Sequence, residues 1–395
     1  MSLLIEHAHC NSITQFNIEG DRMIVIEGAG IAGLTLANCL EIQGIDYRVI
    51  EQASEIKPIG AGIAVQSNGL AILQALGLEQ DVTGCNIEKM TLAGKYFRQE
   101  LMPDKGWKVK MVHRATLHHA LLKNIPSSKL LLGAEISSHS STEDSVTCHL
   151  ADGSDLQGNC LVVASGIHTE THNKPYIRDS GQWCWRTVIS GNAERNEGGE
   201  YWFDDFRIGV SHIGDGDYYI YQVAKTAQQI TEEQRLVFWQ RDDVRARFPF
   251  LDVKKAVWLS HPLTERRIDW GQGNVVAIGD AAHALTPNMG QGAVLAMEDA
   301  YTLATLLNTD YSTDWNTLAE QLSALRHQRV KGIQQQSWLF GMLAHWSNPI
   351  TVLLRDIAMR LSPTDAVLRQ QITFFDRFIA RMAPLIPDER QRLSQ

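Results

Sequence analysis

Three glycines fall within six residues, Gly28-Ala29-Gly30-Ile31-Ala32-Gly33, and Glu51 follows the last of them by 18 positions. That spacing suits the chemistry of a dinucleotide. The first glycine permits a tight turn, the second lets a pyrophosphate approach the backbone, and the third lets a helix pack close to a strand. The phosphates then meet the positive end of the helix. Glu51 is expected to accept hydrogen bonds from the hydroxyls of an adenosine ribose, which suits a nucleotide without a 2′-phosphate.

A second constellation lies far along the chain, where residues 274–292 read NVVAIGDAAHALTPNMGQG. An apolar strand ends in Gly279-Asp280, a loop passes Pro287, and Gly290, Gln291 and Gly292 open a helix that continues through Ala293. A helix N-terminus of this kind stabilises negative charge that develops on a ligand. Within it, His283 reads as a support for the loop before it reads as a catalytic acid. Arg207 and Tyr219, twelve residues apart, are candidates for contact with a substrate, with His212 and Tyr221 as further candidates. Tyr219 and Tyr221 alternate along one strand, so both face a site or both belong to the core. His7 and His9 form an H-x-H pair on the N-terminal extension, but no metal centre is expected. The six cysteines are scattered without a C-x-x-C pair, so they read as free thiols.

These groups need elements to position them. Residues 23–26 read as a strand, about 31–43 as a helix and 47–51 as a second strand, a βαβ unit with a parallel sheet. A helix is expected at 69–83, segments of uncertain register to about 112, and a helix at 114–124. A hairpin-like stretch (130–137, 145–150) turns at Asp152-Gly153 and leads into the strand 160–164. Between about 173 and 262, short aromatic and β-branched segments separated by Gly/Asp turns predict an antiparallel sheet, interrupted by one helix at 231–247. The strand 275–278 and a helix at 293–308 return to the first lobe. Residues 313–395 are helical, broken at Pro349, Pro363, Pro384 and Pro387. The apolar stretch Trp338 to Trp346 reads as core or dimer interface in preference to a membrane surface, since no basic face accompanies it. The fold expected is α/β, a Rossmann-like nucleotide-binding domain (21–172 and 263–310), a mainly antiparallel substrate domain (173–262) and a C-terminal helical region (311–395).

The residues 274–292, together with the glycine motif, resemble the class A flavoprotein monooxygenases, single-component FAD-dependent hydroxylases and epoxidases such as salicylate hydroxylase, urate hydroxylase and zeaxanthin epoxidase. The resemblance runs over nearly the whole chain from residue 22. It implies FAD as cofactor, with Asp280 on the ribityl chain and Gly290, Gln291, Gly292 and Ala293 presenting backbone N–H groups to the flavin pyrimidine. Glu51-Gln52-Ala53 followed by residues 60–65 and Asn68-Gly69 resembles the segment beneath the isoalloxazine, with Ala64 and Val65 as backbone contacts. Arg114, Leu117 and Leu121 match an R-x-x-L-x-x-x-L helix whose arginine contacts the FAD phosphate and ribose. Trp183-Cys184-Trp185-Arg186 resembles the family's Trp-Arg strand at the domain junction, and Arg207 and Tyr219 are similar to a substrate-side pair in urate hydroxylase. One element departs: Ser165 stands where an Asp-Gly pair is usual, and no arginine follows Gly166 and Ile167.

The resemblance implies a monooxygenase that inserts one oxygen atom of O2 into an aromatic, heteroaromatic or alkene small molecule through a flavin C4a-hydroperoxide. NAD(P)H is the expected reductant, with a flavin reductase as the alternative because of Ser165. A flavin oxidase or dehydrogenase, and a non-catalytic scaffold with the same fold, remain as rival readings. With 36 Lys+Arg against 45 Asp+Glu, the net charge of −9 argues against a nucleic-acid partner. No apolar run reaches the ~18 residues needed to span a bilayer. A cytoplasmic monomer or homodimer is expected.

Overall fold

The computed structural model describes residues 23–56, 61–103, 107–191, 196–204, 206–225, 231–254, 256–308, 314–382 and 384–385. His7, His9, Cys10, Gly60 and Pro387 lie outside the described residues.

The strand Met23–Glu27 is buried at its first four residues, which requires a sheet covered on both faces. It sits inside a six-stranded sheet ordered Gly271–Gln272, Val275–Ala277, Cys160–Val163, Met23–Glu27, Asp46–Glu51, Leu130–Leu132. Only the Gly271–Gln272 edge pairs antiparallel. Alternation along the strand sends Ile26 toward Gly33 in the helix Ile31–Gln43 and Val25 toward Gly158 in a small sheet on the opposite face. The register sets Glu27 beside Val163 and Val163 beside Ala277. The carboxyl ends of three strands thus share one edge, the place where open α/β sheets bind ligands.

The second sheet has seven strands, ordered Leu259–Arg266, Ile177–Ser190, Asp217–Lys225, Phe206–Gly214, Glu197–Trp202, Lys89–Ala93, Arg98–Leu101. All its pairings are antiparallel except that of Glu197–Trp202 with Lys89–Ala93. Its last two strands come from the stretch before 112, so the second lobe takes them from within the first. Trp185, Ile208, Tyr218 and Ile220 bury one face against Trp239, Val244 and Phe248. The other face carries Cys184, Tyr221, Val223 and Leu263, and meets the first lobe where Val188 and Tyr219 pack on Ala64.

Several elements differ from the sequence reading for local reasons. The helix expected at 69–83 is Ser67–Ala75, ended by Gly77 in the left-handed region at φ 70°. The helix expected at 231–247 is two, Glu232–Gln240 and Asp242–Arg247. Arg241 between them is extended (ψ 138°), and Asp242 and Asp243 favour a new helix start. Leu130–Leu132 joins the parallel sheet beside Asp46–Glu51, and the hairpin is Ile136–Ser141 with Val146–Leu150. The C-terminal helices are Leu318–Ala344, Pro349–Leu361 and Thr364–Ile379, with Pro349 in the first turn after its cap Asn348 and Pro363 at the cap of the last. Among the described residues, no helix is long and apolar enough to cross a membrane and no three His, Cys, Asp or Glu side chains converge as metal ligands.

Candidate active site

Gly28 leaves the central strand at φ 103°, and a Cβ there would lie 2.7 Å from the Ala164 carbonyl oxygen. A Cβ at Gly33 would strike the Gly28 carbonyl, so the helix can pack this close only with glycine. Gly30 caps Ile31–Gln43 without a side-chain bond, and no atom lies within 4 Å of where its Cβ would be. The space beside Gly30 at the start of that helix is therefore open, which leaves room for a pyrophosphate to approach. Glu51 braces the turn from the next strand, accepting the Ala29 and Ala53 N–H groups at 2.9 Å each. His118 Nε2 lies 2.7 Å from the Ala29 carbonyl oxygen, a contact the sequence reading missed because nothing local marks it. Gln52 is exposed beside Glu51.

Asp280 emerges from the same strand edge after Gly279, which adopts φ 59°. The residue is exposed, although protein surrounds its carboxyl. That burial pushes its carboxyl up, opposed by His283 and by the guanidinium of Arg114. Arg114 opens the helix Arg114–Lys123, its N–H bonded to the Ala61 carbonyl at 2.7 Å. Burial and the neighbouring Arg186 press its pKa down while Asp280 holds it up. Gly290, at φ 61°, approaches Ala64, and Gln66 Nε2 donates to the Met289 carbonyl at 3.2 Å. Val65 is buried in the strand Gly62–Gln66. Gln291 is buried with its Nε2 unpartnered, next to Gly292 and Ala293 at the start of Gly292–Asn308.

A buried charge network holds this turn. Asp299 accepts the Gly279 N–H at 3.0 Å, lies 2.5 Å from His283 Nε2 and receives Arg326 Nε at 2.7 Å. Arg326 also pairs with Glu298 at 2.7 Å, and Glu298 holds Arg329 and Asn68 at 2.6 Å each. Burial alone would raise both carboxyls. His283 and Arg326 at Asp299, and Arg326 and Arg329 at Glu298, outweigh it and hold both below the ordinary range. His283 is thus spent on supporting the loop.

The second sheet supplies the facing wall. Tyr219 is half-buried with its ring against Gly62, where a Cβ would collide with it. Burial raises its hydroxyl pKa, against the neighbouring Arg186. Tyr221 lies across Gly209, which leaves room for the ring, and donates to Glu200 Oε2 at 2.5 Å. Glu200 Oε1 accepts Trp202 Nε1 at 2.6 Å and Arg207 Nη1 at 3.2 Å. Arg207 is only 1% exposed and its other nitrogen donates to Asn288 Oδ1. The pair expected beside the substrate therefore divides: Tyr219 faces the first lobe, and Arg207 reaches it through Asn288, on the turn that ends at Gly290. His212 packs on Tyr218, whose neighbours lie on the opposite face of the sheet.

The bare helix end at Gly30, the accessible acid at Asp280 and the orphaned Gln291 amide fit the pyrophosphate, ribityl and pyrimidine parts of FAD. The family "FAD binding domain" matches residues 21–175 and 221–337. The chain is 33% identical over 363 residues to 2-heptyl-3-hydroxy-4(1H)-quinolone synthase of Pseudomonas aeruginosa, covering 86% of this chain and 94% of that protein. It is 30% identical over 366 residues to aurachin C monooxygenase/isomerase of Stigmatella aurantiaca, covering 87% and 95%. In fold it is similar to Klebsiella pneumoniae HpxO solved with FAD and uric acid, with TM-score 0.81 and 20% identity over 92% of this chain and 98% of that one.

Proposed function

The chain belongs to the FAD binding domain family and is an FAD-dependent monooxygenase, and from that premise we propose that its substrate is a 4(1H)-quinolone or a similar fused nitrogen heteroaromatic, hydroxylated on a ring carbon. The observation that carries this is the ring of Tyr219, packed on Gly62 and Ala64 where the two lobes meet, with Arg186 beside it. An aromatic face stacks on a flat ring, and a guanidinium next to it suits a ring oxo group. The similarity to the quinolone synthase supports the same reading.

Bound reduced FAD supplies the activation of O2. One oxygen atom goes to the ring and the other, with two electrons and two protons, to water. In this reading Gly28, Gly30, Gly33, Glu51, Gln52 and Arg114 hold the ADP half, while Ala64, Val65, Asp280, Gly290, Gln291, Gly292 and Ala293 hold the flavin half. Tyr219 orients the substrate, and Arg207 acts with it from behind by fixing Asn288. Residues 21–172 and 263–310 carry the cofactor, 173–262 roof it, and 311–395 brace both. NAD(P)H with substrate bound, or a flavin reductase, delivers the electrons, and five buried free cysteines suit a reducing cytoplasm.

The test is a single turnover of photoreduced protein with 2-heptyl-4(1H)-quinolone under 18O2. The expected product carries one 18O. Recovery of unchanged quinolone, with no perturbation of the flavin spectrum on its addition, rejects the substrate class. In the same assay Tyr219→Phe is expected to lose product at least tenfold while keeping FAD, and wild-type turnover would return Tyr219 to a packing role.

A further inference from the structure

The helix Pro349–Leu361 is amphipathic the wrong way round. Its inward side carries Val352 and the ion pair of Arg355 with Asp356 at 2.7 Å. Ile350, Leu353, Leu354, Ile357 and Leu361 face solvent instead, at the i, i+3, i+4, i+7 and i+11 positions of one stripe. The polar side is anchored. Asp356 accepts the Tyr96 N–H at 2.9 Å, and Arg355 donates to the Leu343 carbonyl at 3.1 Å and stacks on Trp202 at 4.9 Å. Turning the helix to bury its leucines would strip a buried charge pair of these partners, at a cost of several kcal/mol.

Ile350, Leu354 and Leu361 are 70%, 60% and 74% exposed, and Leu339, Met342 and Trp346, at the chain end leading into this helix, are exposed as well. Eight large apolar side chains at this exposure present on the order of 800 Å2, the share that one partner brings to a standard interface. Monomers seldom leave such a patch uncovered. The charges around this face choose the occupant. Arg360 is the only charged residue exposed on this helix, and the chain carries −9 overall. A helix that lies on lipid carries Lys and Arg on its outward polar face, whereas here the charges point inward. A second copy needs no such rim, since an aliphatic stripe packs on its own equivalent across a two-fold axis. We propose that Ile350, Leu353, Leu354, Ile357 and Leu361 form the core of a homodimer interface with the same helix of a second copy.

Sedimentation velocity of the FAD-loaded full chain across the micromolar range tests this. The expected mass is twice 44.2 kDa. Leu354→Glu with Ile357→Glu is expected to sediment as a monomer with unchanged FAD content. Leu354→Ala with Ile357→Ala adds no charge and is expected to weaken the dimer at least tenfold, which decides the matter if the glutamate variant misfolds. Val237→Glu, at an exposed apolar site on Glu232–Gln240, is expected to stay dimeric. A monomeric wild type overturns the proposal. So does a dimer that survives both double variants, which would use another face. A monomer that co-sediments with phosphatidylcholine vesicles overturns it in favour of a lipid surface.

Discussion

Asp280 is placed where its charge is disfavoured, which separates the FAD contact proposed for it from any role in stability. Burial and Asp299 both oppose its ionisation, against His283 and Arg114. Asp280→Ala is therefore expected to weaken FAD about ten- to a hundredfold, the worth of a charge-assisted hydrogen bond of ~1.5–3 kcal/mol. The same change should leave the melting temperature of the apoprotein level or slightly higher. Equal FAD affinity in the variant would refute the placement of the ribityl chain. Glu265 shows the same logic at a position unrelated to the cofactor. Burial raises its carboxyl to about 7, with Arg178 opposing at 4.0 Å. Between pH 4.5 and 7 the unfolded chain releases this proton and the folded chain keeps it, so the fold loses stability as pH rises through that window. Glu265→Gln should therefore stabilise at pH 8 by up to about 3 kcal/mol and leave stability at pH 4 unchanged. Urea unfolding at the two pH values checks it, and an equal gain at both would exclude ionisation as the cause.

Elements decide what single residues cannot. The two glycine turns were legible because strand, turn and helix follow one another within a few residues, and the motif itself states the local geometry. Glu200 was not legible, since its partners Arg207 and Tyr221 come from two neighbouring strands, and Asn288 beyond Arg207 from a distant turn, which only the folded sheets bring together. For the same reason Arg207 could be recognised in the sequence while its ion pair could not. The network gives a graded expectation. Glu200→Gln leaves Arg207 buried without a counter-charge and turns an amide toward a donor, which should cost ~3–5 kcal/mol. Tyr221→Phe removes one donor to that carboxylate and should cost less, ~1.5–3 kcal/mol. Denaturant unfolding of the two variants measures the ratio. Similar losses would mean that Glu200 does not carry the load the geometry gives it.

At the scale of the molecule, two lobes meet over a strand edge where Gly28, Ser165 and Asp280 all emerge, so a change at one of these positions bears on how electrons enter as well as on how FAD is held. The sequence marks residues 165–173 as the departure from the family pattern, but not what holds this loop, because its partners come from elsewhere in the fold. Arg266, buried on Leu259–Arg266, donates to the Ile167 and Thr169 carbonyls at 3.0 and 2.8 Å. Glu27 accepts Thr171 Oγ1 at 2.9 Å and faces Ser165. The loop is thereby held in place, with the Arg266 guanidinium turned inward. FAD binding should survive this change, whereas a transient nicotinamide dinucleotide loses the arginine that the family pattern places in this loop and should dock poorly here. Anaerobic stopped-flow reduction of the FAD-loaded protein by NADH and NADPH is therefore expected to be slow unless substrate is present, with photoreduction restoring product formation. Rapid bleaching by either nucleotide in the absence of substrate would mean that Ser165 is a neutral variation and that the reductant docks on a surface outside this loop.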